Sequence, residues 1–262
     1  MNSVAIKVVR GNPWLVNVNP QPNAPWRLVM FPHAGAGASA YYCWADEFAA
    51  HANVFIVQLP GRESRAHESL IRNVTQASSG IAQAIGTLDS RPTVFFGHSL
   101  GALLAYEVCR RMMRCGMRPP KVIFVAGRSP PHVKLPRQSI FSLPSAEFLH
   151  TIAQLGGLSP EVLNATELLD YLEPILRADM EMNDTFKPEP AVALDISLVA
   201  LSGRDDQHFP PDDIERWRDT AKECSIHYFD GGHFFINHHR KAIVELVKRH
   251  LDLKICQRAQ TC

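Results

Sequence analysis

The hydrophobic residues of this chain fall into short, nearly continuous runs, separated by longer stretches with helical periodicity. Such runs, bounded by polar residues, are typical of strands that are buried on both faces of a sheet. The pattern predicts strands over 27–31, 53–57, 93–96, 121–125, 196–201 and 225–229, and helices over roughly 40–51, 73–90, 100–116, 211–223 and 239–252. This alternation predicts an α/β fold with a mostly parallel, doubly wound sheet.

One part of the chain departs from this alternation. Between the fourth and fifth predicted strands the sequence predicts helices with no strand among them. Because this insertion, about 130–190, follows the carboxyl end of a strand, we expect it to form a helical lid over the site, with a break at Pro174. We expect residues 1–262 to form a single domain, in which the proline-rich residues 1–26 are an extended arm.

Composition and charge limit the classes of function. The chain has 27 Lys and Arg against 26 Asp and Glu, a net charge of +1, which favours neither nucleic acid nor an anionic membrane as a partner. No apolar run approaches the ~18–20 residues that span a bilayer, and we see no secretory signal. The cysteines are scattered without a Cys-x-x-Cys pair, which favours free thiols and a cytoplasmic location. They are Cys43, Cys109, Cys115, Cys224, Cys256 and Cys262.

The most informative motif is Gly-His-Ser-Leu-Gly at residues 97–101, which has the pattern Gly-x-Ser-x-Gly. It lies between the predicted strand at 93–96 and the predicted helix at 100–116. A strand, a sharp turn that carries a serine and a helix together form a nucleophile elbow. The flanking glycines keep Cβ atoms out of the crowded turn. The motif therefore predicts Ser99 as a catalytic nucleophile, and the alternative is a glycine-rich turn with an inactive serine.

A serine nucleophile needs a base, and the base needs a carboxylate that orients it. His233 follows the last predicted strand and two glycines, which is where the chain order Ser, Asp, His places the base. We therefore predict His233 as the base. Asp205 and Asp206 both follow the strand at 196–201, and the Gly-x-x-Asp spacing favours Asp206 as the acid over Asp205.

The tetrahedral intermediate of acyl transfer needs backbone N–H donors for its oxyanion. We predict the N–H groups of Leu100, which follows the nucleophile, and of Ala34, in the small-residue loop after the strand at 27–31. The alternative for this loop is a phosphate-binding loop, but it lacks the third glycine of a dinucleotide motif and a Walker lysine. No metal is expected, because the histidines have no partners at the spacing of a zinc site.

Taken together, these residues resemble the type II thioesterases of nonribosomal peptide and polyketide synthesis. The resemblance extends over nearly the whole chain and includes three further segments. They are Phe-Pro-His-Ala-Gly-Ala-Gly at 31–37, Gln-Leu-Pro-Gly-Arg-Glu at 58–63 and Phe-Asp-Gly-Gly-His-Phe-Phe at 229–235. The chain is also similar to the stand-alone enzymes of siderophore clusters such as the yersiniabactin system.

This resemblance implies an α/β-hydrolase fold and a serine hydrolase that clears misprimed or stalled acyl groups, bound as thioesters, from the 4′-phosphopantetheine arm of carrier proteins. It implies acyl or peptidyl carrier protein domains as partners. It implies no cofactor of the enzyme's own, because the substrate carries the phosphopantetheine. We expect a monomer. Arg62 would then shape the entrance of the acyl pocket, or it would form a structural ion pair with Glu63 or another carboxylate.

Two other functions are compatible with the same residues. A small-molecule carboxylesterase would use the same triad and prefer oxygen esters. A non-catalytic α/β-hydrolase scaffold would bind a ligand or partner without turnover, although an intact set of serine, histidine and aspartate disfavours it.

Overall fold

A computed structural model describes residues 7–8, 12–133, 139–158, 160–190 and 193–259. The strands are β1 (Lys7–Val8), β2 (Leu15–Asn17), β3 (Trp26–Phe31), β4 (Ala52–Val57), β5 (Thr93–His98), β6 (Val122–Ala126), β7 (Leu194–Gly203) and β8 (Ala221–Phe229). They form one sheet in the order β1-β2-β4-β3-β5-β6-β7-β8. β2 is antiparallel to β1 and β4, and the other neighbouring strands are parallel. The predicted α/β fold is therefore confirmed.

The six predicted strands are β3 to β8, and β7 and β8 begin earlier than the hydrophobic runs suggest. The prediction that residues 1–26 form an extended arm is wrong, because β1 and β2 belong to the sheet. Leu15 and Val16 of β2 are buried and pair with the end of β4. The prolines of this region favour an extended arm in a sequence analysis. None of them is among the residues that pair in β1 and β2, so they do not prevent these strands from forming.

The helical segments cover both faces of the sheet. They are α1 (Tyr42–Ala45), α2 (Val74–Gly86), α3 (Leu100–Arg114), α4 (Ser145–Gln154), α5 (Pro160–Leu163), α6 (Thr166–Asp184), α7 (Pro211–Glu215), α8 (Phe235–His238) and α9 (Arg240–Ala259). α2 and α3 pack with Phe95 in one hydrophobic core. α1 and α9 pack with Phe96 in the core on the opposite face. Successive strand residues point to opposite faces of the sheet, and helices cover both faces. Nearly every residue of the central strands is therefore buried.

Two predicted helices differ in the structure. The helix predicted over 40–51 consists of α1 between two short 3₁₀ turns, Ala38–Tyr41 and Asp46–Phe48. The helix predicted over 211–223 ends at Arg216–Asp219, also a 3₁₀ turn, before β8 begins. Tertiary packing overrides the helical periodicity of the sequence here. The buried Trp217 donates its indole N–H to the Arg128 carbonyl at 2.6 Å.

The segment between β6 and β7 carries α4, α5 and α6, and we call it the insert. The break predicted at Pro174 is wrong, because α6 runs from Thr166 to Asp184 through this proline. A proline inside a helix removes one backbone hydrogen bond. Pro174 lies on the exposed side of α6, so that water can reach the carbonyl that loses its partner. Within the described residues, no helix combines the length and apolar character required to cross a bilayer.

Candidate active site

Ser99 lies in a sharp turn between β5 and α3, as the Gly-x-Ser-x-Gly pattern predicts. Its backbone angles are φ 55° and ψ −116°, a conformation that non-glycine residues rarely adopt. The Ser99 N–H donates to the Ala126 carbonyl at the end of β6 at 2.9 Å. A Cβ atom on Gly97 would collide with the Gly101 carbonyl, and one on Gly101 would collide with the Phe31 carbonyl. Both glycines are therefore required by the close approach of the backbone around the serine.

His233 reaches Ser99 from the loop that follows β8. Its Nε2 atom lies 3.0 Å from the Ser99 Oγ atom, and its Nδ1 atom lies 2.8 Å from Asp206 Oδ2. A carboxylate only accepts hydrogen bonds, so Nδ1 carries the proton of the neutral ring. Nε2 is then free to accept the hydroxyl proton of Ser99. The structure thus joins the three residues in the arrangement that activates a serine.

Asp206, and not Asp205, faces the histidine. The side chain of Asp206 is fully buried, and its Oδ1 atom accepts the backbone N–H groups of His208 at 2.9 Å and Phe209 at 3.3 Å. These bonds hold the carboxylate in one orientation while Oδ2 faces the imidazole. Asp205 instead accepts the Gly231 N–H at 3.3 Å at the surface.

Ala34 and Leu100 line the same pocket as Ser99 and His233. Leu100 is the first residue of α3, where a helix leaves its backbone N–H groups without partners inside the helix. Ala34 follows β3, whose last residue pairs in register with Gly97 of β5. The two residues expected to donate to an oxyanion therefore flank the nucleophile.

The buried His98 and the half-buried His33 support the site, and sequence reasoning did not assign them this role. His98 Nε2 lies 2.9 Å from the His233 carbonyl oxygen, which can only accept, so Nε2 donates and Nδ1 is unprotonated. Burial, followed by repulsion from His233 and His33, lowers the pKa of His98 well below its usual value. Burial and the nearby His233 likewise lower the pKa of His33 to about 4. Both rings are therefore neutral at pH 7, so neither of them places a positive charge beside the imidazole of His233.

A narrow cleft leads to Ser99 between the insert and the body of the fold. The insert contributes mostly apolar side chains to its wall, and the body contributes Ser99, His233 and the two expected donors. The residues from the insert are Ile152, Leu155, Gly157, Leu176, Met180 and Asn183. Arg128, which hydrogen bonds to Asn183, also lines the cleft. Such a site can hold an extended acyl chain with its carbonyl carbon beside Ser99.

Arg62 forms a buried ion pair with Asp179 of α6, and not with Glu63. No sequence pattern points to this partner, because the two residues lie 117 positions apart along the chain. Glu63 instead accepts the Ser39 hydroxyl at 2.5 Å. Among the described residues, no group of three or more histidine, cysteine, aspartate or glutamate side chains could hold a metal ion.

Comparison with known proteins identifies the family. Residues 26–251 match the thioesterase domain family. The gramicidin S biosynthesis protein GrsT of Aneurinibacillus migulanus is 32% identical over 243 residues, which are 92% of this chain and 95% of GrsT. The type II thioesterase BorB from the borrelidin biosynthetic cluster superposes with a TM-score of 0.84 at 28% identity, covering 91% of this chain and 97% of BorB.

A third comparison supports the fold. The type II thioesterase YbtT from the yersiniabactin biosynthetic pathway superposes with a TM-score of 0.79 at 24% identity, over 91% of this chain and 98% of YbtT. The matched family region contains the serine elbow, the histidine loop and the insert between β6 and β7. The chain therefore belongs to the thioesterase family, as an enzyme with the α/β-hydrolase fold of the type II thioesterases.

Proposed function

We propose that this enzyme hydrolyses acyl thioesters on the 4′-phosphopantetheine arm of carrier protein domains, with Ser99, His233 and Asp206 as its catalytic triad. The observation that carries the proposal is the hydrogen-bonded chain from Ser99 through His233 to Asp206, at the end of a largely apolar cleft. The relatives named for gramicidin S biosynthesis and the borrelidin biosynthetic cluster support carrier-bound substrates.

The first half of the reaction transfers the acyl group to the enzyme. Ser99 Oγ attacks the thioester carbonyl carbon while His233 Nε2 takes the hydroxyl proton. The oxygen of the tetrahedral intermediate, now negative, accepts hydrogen bonds from the N–H groups of Ala34 and Leu100. The carbon–sulfur bond then breaks, and the sulfur of the pantetheine arm leaves with the proton from His233.

The second half releases the acid. A water molecule attacks the acyl-serine carbonyl carbon as His233 takes one of its protons. The intermediate collapses, and the proton returns to Ser99 Oγ. Throughout, Asp206 holds the tautomer in which Nε2 faces the serine and stabilises the imidazolium that forms transiently.

The biological role that we propose is removal of misprimed or stalled acyl groups from a peptide or polyketide synthetase. Service to a siderophore pathway, a cytoplasmic location and a monomeric state stay predictions from the sequence. The apolar wall of the insert supports a preference for acyl chains over small polar substituents.

A panel of acylated carrier proteins tests the proposal directly. Each is incubated with the enzyme and with the Ser99→Ala variant, and mass spectrometry follows loss of the acyl group from the phosphopantetheine arm. We expect deacylation only with the unaltered enzyme. Faster hydrolysis of p-nitrophenyl esters than of every carrier-bound substrate would instead favour a small-molecule carboxylesterase.

A further inference from the structure

A buried ion pair connects Asp179 of the insert to Arg62 in the loop after β4. Arg62 Nη1 lies 2.6 Å from Asp179 Oδ2, and Arg62 Nη2 lies 2.8 Å from Asp179 Oδ1. The two side chains are 2% and 0% exposed. Arg62 Nη1 also donates to the Ala36 carbonyl at 3.2 Å. A bidentate pair of this kind fixes both side chains in one geometry.

Burying two charges is costly, and a buried ion pair contributes little net stability compared with apolar residues of similar size. Burial disfavours the charged form of Arg62, but the Asp179 carboxylate outweighs this and raises the pKa of Arg62 above its usual value. Arg62 is therefore held charged in the folded enzyme. The ion pair is therefore better explained by the groups that it orients, which lie in the loop after β3.

The same carboxylate also holds a backbone N–H beside the expected oxyanion donor. Asp179 Oδ2 accepts the Gly35 N–H at 2.7 Å. Gly35 has a φ of +79°, and a Cβ atom there would collide with the Leu176 side chain. Because Leu176 and Asp179 both belong to α6, one helix of the insert fixes this loop by shape and by hydrogen bonding.

We propose that Asp179 is a positioning residue for the oxyanion hole. By accepting the Gly35 N–H it fixes the peptide group between Ala34 and Gly35, and so restrains the backbone of Ala34, whose own N–H belongs to the adjoining peptide group. Arg62 holds the carboxylate in place from the other side. This inference rests on the proposed function, in which Ala34 donates to the tetrahedral intermediate.

Misplacement of the Ala34 N–H should affect kcat and not KM. An oxyanion donor acts on the transition state, so its misplacement lowers kcat and leaves KM largely unchanged. Removing such a donor outright costs about 10²–10³ in kcat. A donor that is present but no longer fixed should cost less than that. Because Asp179 lies on α6, the hole is complete only when this helix occupies the position seen here.

Two double variants separate the hydrogen bond from the charges. Arg62→Met with Asp179→Asn removes both charges but keeps an oxygen that can accept the Gly35 N–H. Arg62→Met with Asp179→Leu removes both charges and the acceptor while keeping similar side-chain volume. Neither variant leaves a buried charge without its partner, so we expect both to fold.

The assay measures kcat and KM for an acyl thioester of N-acetylcysteamine. We expect kcat of the asparagine variant to stay within about fivefold of the unaltered enzyme, and kcat of the leucine variant to fall about 30- to 100-fold with KM unchanged. Affinity for a trifluoromethyl ketone analogue, which forms a tetrahedral adduct at Ser99, should fall in the same ratio. If the leucine variant does not fold, Asp179→Ser with Arg62→Met replaces it, because a serine hydroxyl is too short to reach Gly35.

The matched control is Glu181→Gln, also on α6, which removes the surface ion pair with Arg72 at 2.6 Å without touching the loop after β3. It should leave kcat and analogue affinity unchanged. Equal kcat values in the two double variants, or a loss confined to KM, would overturn the positioning role. Turnover by Ser99→Ala would instead overturn the proposed function, so the two failures are distinguishable.

Discussion

Moderate acid should destabilise this fold through His33 and His98. An unfolded histidine has a pKa of about 6.5. Burial, with the neighbouring histidines, lowers the pKa of His33 to about 4 and that of His98 well below its usual value. A group whose pKa is lower in the folded state favours folding above its unfolded pKa, and this contribution is lost as the pH falls toward the folded pKa. For His33 the loss falls between about pH 6.5 and pH 4.

The magnitude follows from proton linkage. At pH 5.0 the unfolded histidine is almost fully protonated, whereas His33 with a pKa of about 4 is mostly neutral in the folded protein. For His33 the difference lowers the free energy of unfolding by about 2 kcal/mol relative to pH 7.5, and the lowered pKa of His98 acts in the same direction. A loss of about 2 kcal/mol from one residue is large for a domain whose total stability is typically about 5–15 kcal/mol.

Urea denaturation at pH 7.5 and pH 5.0 measures the effect, with the buried Trp26 and Trp217 as fluorescence reporters. The variant His33→Gln should lose about 2 kcal/mol less than the unaltered protein between the two pH values, and His98→Gln should also lose less than the unaltered protein. The control His67→Gln alters an exposed histidine and should lose as much as the unaltered protein. Losses of stability in both variants as large as in the control would refute the role of His33 and His98 in acid destabilisation.

Three further predictions follow from the site. Asp206→Asn should lower kcat about 10⁴-fold, because it disturbs the tautomer of the base, whereas Asp205→Asn should change kcat by less than about threefold in the same thioester assay. The reverse order would reassign the acid. Gly101→Ala should lower the free energy of unfolding by more than about 3 kcal/mol in urea denaturation, because its Cβ atom would collide with the Phe31 carbonyl, and a smaller loss would mean that the elbow relaxes. Met180→Trp should fill the insert side of the cleft and reduce kcat/KM for long acyl chains at least tenfold more than for acetyl, as judged by competition between the two substrates. An equal effect on both chains would place Met180 outside the acyl path.

The features that could be predicted from the sequence are those with a local signal. The Gly-x-Ser-x-Gly turn, the glycines before His233 and the Gly-x-x-Asp spacing each reflect a backbone constraint within a few residues. The structure accordingly brings Ser99, Asp206 and His233 within hydrogen-bonding distance. The continuous hydrophobic runs located β3 to β6 because every residue of these strands is buried, whereas β8, at the edge of the sheet, is mostly exposed or half-buried.

The features that could not be predicted depend on residues distant in sequence. Asp179 has no local pattern that distinguishes it from other acidic residues of α6, and its partner Arg62 is 117 residues away. The 3₁₀ turn before β8 depends on the burial of Trp217 against the body of the fold. Pro174 was expected to end a helix, but its exposure allows α6 to continue through it. Tertiary contacts decide each of these cases.

The position of β6 explains how Ser99, Asp206 and His233 can meet. β6 lies between β5, which precedes Ser99, and β7, which precedes Asp206, so His233 must reach across the end of β6 to meet the serine. The residue that follows β6 is Gly127, with a φ of +60°. A Cβ atom there would lie 2.8 Å from His98 Nε2 and 3.5 Å from His233 Cε1. A side chain at this position would therefore displace the ring that donates to the His233 carbonyl and crowd the base itself. The site therefore needs a glycine at position 127 as much as it needs the side chains of Ser99, Asp206 and His233.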